Sequence, residues 1–226
     1  MSYYYETRTT EYVGYDIKAE AYRHLGIALL IASITVGVML GLGVPIEIYW
    51  VGAIGEFIII MILLFSALFG SQFSESTAAI LLYSFAVCSA ITLSLLVAIG
   101  LYLDPAIVVG AVGSTTVVAM AAYLFSGRTY ERISQITRIT FILVIMFLIF
   151  AMLGFFLFSE NGLFYLIISV FGAIIFSIYM FLDFARLENR AFTSPALMAL
   201  WLFYDIIYLL KELLLIFIYL FGGSRD

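Results

Sequence analysis

Seven continuous apolar runs divide the chain, at 24-44, 47-69, 77-101, 106-125, 137-158, 163-187 and 195-221. Each holds the roughly 20 apolar residues that a helix needs to cross the hydrocarbon of a bilayer. The punctuation between them is polar or rich in Gly and Pro: GVPIE at 43-47, SQFSES at 71-76, LDP at 103-105, SGRTYERISQ at 126-135, SENG at 159-162 and ENRAFTSP at 188-195. Most of these breaks are short enough to force antiparallel neighbours. None of the runs shows the strand-length alternation of an outer-membrane barrel, so helices are expected. The pattern predicts an all-α membrane protein, a seven-transmembrane-helix bundle over 24-221. A cytoplasmic tail over 1-23 precedes it and a short tail over 222-226 follows.

Composition agrees with the pattern: 65% of residues are hydrophobic, 11% are charged and the mean hydropathy is +1.18. A soluble particle needs more polar surface than that. The lone cysteine, Cys88, excludes an internal disulfide and a multi-cysteine metal site, and packing is its expected role. The first apolar run follows a polar and aromatic stretch and has no small-residue cleavage site, so it reads as a retained span. No basic patch is long enough to suggest nucleic acid as a partner.

Orientation follows from Lys and Arg, which concentrate in cytoplasmic loops. With the N-terminus inside, Arg8, Lys18, Arg23, Arg128, Arg132, Arg138, Arg186 and Arg190 are cytoplasmic, and Arg225 alone lies outside. The outer loops then carry Glu47, Asp104 and Glu160, either as a field favourable to cations or as ordinary loop polarity. Small residues mark close helix approach, and Ala106, Gly110 and Ser114 recur at four-residue spacing in the fourth span, which predicts an internal helix. Tyr12, Tyr15, Tyr22, Tyr49 and Trp50 read as interfacial anchors.

The chemistry lies in a few ionisable residues well inside the spans: Glu56, Asp183, Asp205, Lys211 and Glu212. Each costs about 3 kcal/mol at membrane depth even on lenient scales, so such residues mark function by default. Helical rise puts Asp183 about 12 Å and Asp205 about 5 Å past the middle of their antiparallel spans, in the same half of the membrane. Two carboxyls meeting there would share a proton or recruit a cation. Calcium takes about six to eight oxygens, more than two carboxylates offer, so such a calcium site would be weak. The alternative is separate pairing of each aspartate, with Lys211 or Arg186 as charge partner. Asp205 and Glu212, seven apart, share a helix face, whereas Lys211 points about 120° from Asp205. Lys211 then either neutralises another neighbour or snorkels. Glu56 sits a turn beyond Gly52 and Gly55, as a pore-closing gate or as a simple interhelical hydrogen-bonding group.

The segments FLDFARLENR at 181-190 and LFYDIIYLLKELLLIF at 202-217 resemble the aspartate-bearing sixth and seventh helices of the Bax inhibitor family, the transmembrane Bax-inhibitor-motif proteins. The resemblance covers about the last 45 residues at motif level, and the span count fits throughout; a prokaryotic member is expected. It implies a pH-sensitive calcium leak channel, or calcium-permeable protein, with Asp183 and Asp205 as the sensor and movement of the second helix opening the path; Glu56 is similar by position to an acidic residue of that helix, and Glu56 and Glu212 are the expected pore or gate residues. It implies no enzyme activity and no cofactor beyond calcium and protons as permeant or regulatory ligands. The bilayer, calcium and other membrane proteins are the implied partners. Some bacterial members place an arginine from the second helix on the aspartates; here no Lys or Arg occurs between His24 and Arg128, so the latch must differ. Family links to cell death and membrane proteases leave a non-transporting interaction protein as the alternative, and the coupled carboxylates also suit a proton/cation antiporter.

Enzyme rivals fit poorly. A retinal Schiff base on Lys211 would want an aspartate one turn away, and the third span has no carboxylate. Tyr204-Asp205 and Pro195-Ala196-Leu197 mimic parts of an intramembrane aspartyl protease, in the wrong order and without a GxGD motif. The single histidine, His24, is at the membrane edge, too shallow for a serine protease. The expected location is a multi-pass position in the cell membrane, with the N-terminus cytoplasmic and the C-terminus outside.

Overall fold

A computed structural model describes residues 17-69, 73-126, 162-189 and 194-222, in six helices. They are α1 (Ile17–Leu42), α2 (Ile46–Phe69), α3 (Glu75–Leu103), α4 (Pro105–Phe125), α5 (Gly162–Glu188) and α6 (Pro195–Gly222). Their bounds follow six of the expected spans closely. The expected fifth span, 137-158, lies outside the described residues, as do Arg8, Arg128, Arg132, Arg138, Glu160, Arg190 and Arg225. Helices α1 to α5 are each long and apolar enough to cross a membrane. With α6, which carries Asp205, Lys211 and Glu212, they make a multi-pass integral membrane protein.

Local chemistry sets the turns. Gly43 adopts a positive φ of 58°, open to glycine at little cost, and lets α1 reverse into α2. Asp104 ends one helix and starts the next: its backbone N–H donates to the Gly100 carbonyl at 2.9 Å, and its side chain accepts from the Ala106 N–H at 2.9 Å. Pro105 occupies the first position of α4, where a missing N–H is harmless. The Asp104 carboxylate, read from sequence as part of an outer acidic field, thus serves as a helix cap.

Helix α6 runs through the middle, packed against α1, α3, α4 and most extensively α5. That position follows from its composition, since its ionisable side chains must face protein and not lipid. Asp205, Lys211, Leu200, Leu202, Phe203 and Leu209 are all buried. By contrast α4 buries one stripe, Ile107, Ala111, Thr115 and Ala122, and exposes Val109, Val112, Val117 and Met120 among the described residues. The internal α4 expected from Ala106, Gly110 and Ser114 is therefore corrected. The buried stripe is one residue later, on Ile107, Ala111 and Thr115, and Gly110 beside it is approached by Phe217.

Helix α2 packs principally on α3. A Cβ on Gly52 would fall 2.6 Å from Ile91 Cγ2 and 3.2 Å from the Cys88 carbonyl oxygen, and one on Gly55 would fall 2.7 Å from Cys88 Sγ. Gly52→Ala should destabilise the α2–α3 pair by about 1–3 kcal/mol, the range for overpacking. Thermal unfolding in detergent checks this: the expected result is a clear fall in midpoint.

Candidate functional site

The six-residue offset between Asp205 and Lys211 sends the charges of α6 to two different neighbours. Asp205 faces Asp183 of α5, and the two buried carboxyls interact electrostatically. Both are deep inside, 1% and 2% exposed for Asp183 and Asp205. Arg186, one turn along α5 from Asp183, donates from Nη1 to Asp183 Oδ1 at 2.7 Å. Asp205 Oδ2 is buried without a hydrogen-bond partner. An aspartate pair with a guanidinium on one member and an unsatisfied oxygen on the other can hold a proton between its carboxyls or offer oxygens to a cation.

The arginine is supplied by the helix that carries Asp183. The pair has the three-residue spacing of one helix face, legible in DFAR at 183-186. Of the alternatives for the aspartates, Arg186 pairs with Asp183 while Lys211 pairs elsewhere.

Lys211 donates to Glu56 Oε1 of α2 at 2.5 Å and to Thr92 Oγ1 of α3 at 2.8 Å. Thr92 in turn donates to Glu56 Oε2 at 2.7 Å, closing a three-helix knot. The ammonium lies 4.8 Å from the centre of the Tyr208 ring, which also stands beside Glu56. Both charges are buried, so Lys211 does not snorkel. Glu56 is thus a charged tie between α2 and α6.

Glu212 returns to the face of Asp205, as its spacing requires, and lies against α5. Its carboxyl lies near Ser169, and its Cδ would be 2.8 Å from a Cβ on Gly172. The glycine makes the room. Glu212 Oε2 is buried without a partner. Gly172→Ala should displace this carboxylate with little loss of stability, since the clash is with the end of a flexible chain. A carboxylate-selective infrared band that moves while the melting temperature holds is the expected observation.

An aromatic cluster adjoins both the aspartate pair and the Glu56–Lys211 tie, with Tyr208 between Asp205 and Lys211 along α6. Tyr204 and Tyr208 are 4.6 Å apart by ring centres, Phe176 is 5.1 Å from Tyr208, and Phe85 is 5.7 Å from Tyr204. Such packing excludes water between the two ionisable layers. The sequence reading missed these rings and Thr92; aromatics and a threonine in an apolar span carry no signal of their own.

Among the described residues no group of three or more His, Cys, Asp or Glu side chains could hold a metal ion. The aspartate pair, with one oxygen taken by Arg186, suits a transient and partly hydrated calcium ion better than a resident one. A comparison with protein-family models matches residues 17–223 to the family described as inhibitor of apoptosis-promoting Bax1. A search among curated proteins gave no match.

Proposed function

The chain belongs to the Bax inhibitor family, and from that premise we propose that it is a pH-sensitive, calcium-permeable leak pathway gated by the Asp183–Asp205 pair. The observation that carries this reading is a pair of buried carboxyls on two closely packed helices, one of them with an unsatisfied oxygen. It is supported by a charge imbalance. Four carboxyls, Glu56, Asp183, Asp205 and Glu212, face the two cations Arg186 and Lys211 inside the described bundle. Electrical neutrality in a low-dielectric interior then calls for two protons or one divalent cation.

Protons and calcium thereby compete for the same carboxyls. Acid conditions fill the pair with protons and lower its apparent affinity for calcium; alkaline conditions free both carboxylates, whose mutual repulsion favours a bridging cation. The Glu56–Lys211–Thr92 knot lies about 9 Å further along α6 and is the gate in this account. Opening moves α2, whose packing on α3 is supplemented by that one charged tie to α6. The aromatic cluster keeps the closed path dry.

By the distribution of Lys and Arg the N-terminus is cytoplasmic and the aspartate pair is in the cytoplasmic half of the membrane. Purified protein in liposomes carrying a calcium indicator tests the function. Calcium should enter at rates that change between about pH 6 and pH 8, the range a coupled carboxyl pair can cover. Liposomes no leakier than empty ones throughout that range would leave the protein a non-transporting partner of other membrane proteins.

A further inference from the structure

His24, the chain's single histidine, joins three helices at the end of the bundle where α1, α3 and α6 begin. Its Nδ1 is 2.6 Å from the Tyr83 hydroxyl of α3, and its Nε2 is 3.6 Å from Glu75 Oε1. Glu75, at the first turn of α3, is also the anion at the start of α6. Its Oε1 accepts from the Ala196 N–H at 2.9 Å and its Oε2 accepts from the Ser194 hydroxyl at 2.5 Å. Ser194 Oγ accepts in turn from the Leu197 N–H at 3.1 Å. A carboxylate placed on open N–H groups complements the positive end of the α6 dipole.

The other charges around His24 are matched among themselves. On α1, Arg23 pairs with Glu20 at 2.7 Å, and Lys18 pairs with Glu188 of α5 at 2.7 Å. Tyr83 faces the imidazole from α3, and α6 contributes neutral donors through Glu75. Glu75 is therefore the anion that meets the imidazole, and its contacts with Ser194 and Ala196 are uncharged.

We propose that His24 and Glu75 form a second proton-binding site, separate from the aspartates, which fastens α1 and α3 to the start of α6 when the imidazole is charged. With the imidazole neutral, the Tyr83 hydroxyl donates to Nδ1 and Nε2 carries its hydrogen toward Glu75. Adding a proton places a full positive charge 3.6 Å from the carboxylate that already holds α6. The tie is present in acid and lost as pH rises. It acts on the helix that carries Asp205, about 15 Å further along. The site needs neither calcium nor flux.

A double-mutant cycle of H24Q and E75Q, read as melting temperature of the full chain without a histidine tag, tests the site at about pH 5.5 and pH 8, either side of the range in which imidazole changes charge. Glutamine keeps one acceptor for the Ala196 N–H, so E75Q retains the cap. Expected is a coupling of about 2–4 °C in acid that vanishes at the higher pH. The same coupling at both pH values, or none at either, overturns the proposal. The sole imidazole gives one histidine side-chain NMR resonance. Its change between those pH values should be the same in the wild type and in D183N/D205N; a change that disappears with the aspartates also overturns it.

Discussion

Replacing Lys211 by methionine should destabilise the protein by about 3–5 kcal/mol, the cost of leaving a buried charge without its partner. The charge left behind is Glu56, enclosed by α3 and α6, with the Thr92 hydroxyl bonded to it and Tyr208 beside it among the described residues. They do not replace an ammonium at 2.5 Å. Adding Glu56→Gln should restore most of the loss, because a neutral amide at that site can use the Thr92 hydroxyl. Thermal unfolding in detergent separates the outcomes. A K211M midpoint equal to wild type would show that the tie contributes nothing to holding α2. If the account of the gate is right, the restored double variant also leaks calcium faster, since α2 has lost its charged attachment to α6.

The second large effect concerns the aspartates. In D183N/D205N, calcium flux should lose its pH dependence, whereas wild-type flux should change by up to about tenfold per pH unit, the limit for one titrating proton. The sign follows from competition: as pH falls, protons displace calcium from the pair, and calcium binding weakens. Asn keeps the volume and hydrogen-bonding capacity of Asp, so helix packing between α5 and α6 should survive. Arg186 loses its anion at position 183 and is the reason to add Arg186→Gln as a third change if the double variant is unstable. Retained pH dependence in a folded D183N/D205N would move the sensor elsewhere, His24 being the first place to look.

Much of this arrangement is legible in the chain itself. Apolar runs and their punctuation placed six helices to within a few residues, except at the start of α1, where polar IKAEAYR extends the helix before the apolar run begins. There the pattern reports the membrane-embedded part, not the helix. The angular offsets on the last helix also carry over: Asp205 and Glu212 face α5, and Lys211 faces away toward α2 and α3. Partners are a different matter. Nothing in the sequence links Lys211 to Glu56, 155 positions away, because interhelical pairing depends on which helices are adjacent. Thr92 and the Tyr204–Tyr208 layer have the same cause. The small-residue stripe of α4 misled because spacing identifies a face that can be approached closely, without saying that anything approaches it.

The account turns on one exchange, protons for calcium on Asp183 and Asp205, and proton release on calcium addition measures it directly. In weakly buffered detergent solution near neutral pH, wild-type protein should release about one proton for each calcium ion bound, and D183N/D205N should release none. Calcium binding without proton release, or equal release from the double variant, would contradict it.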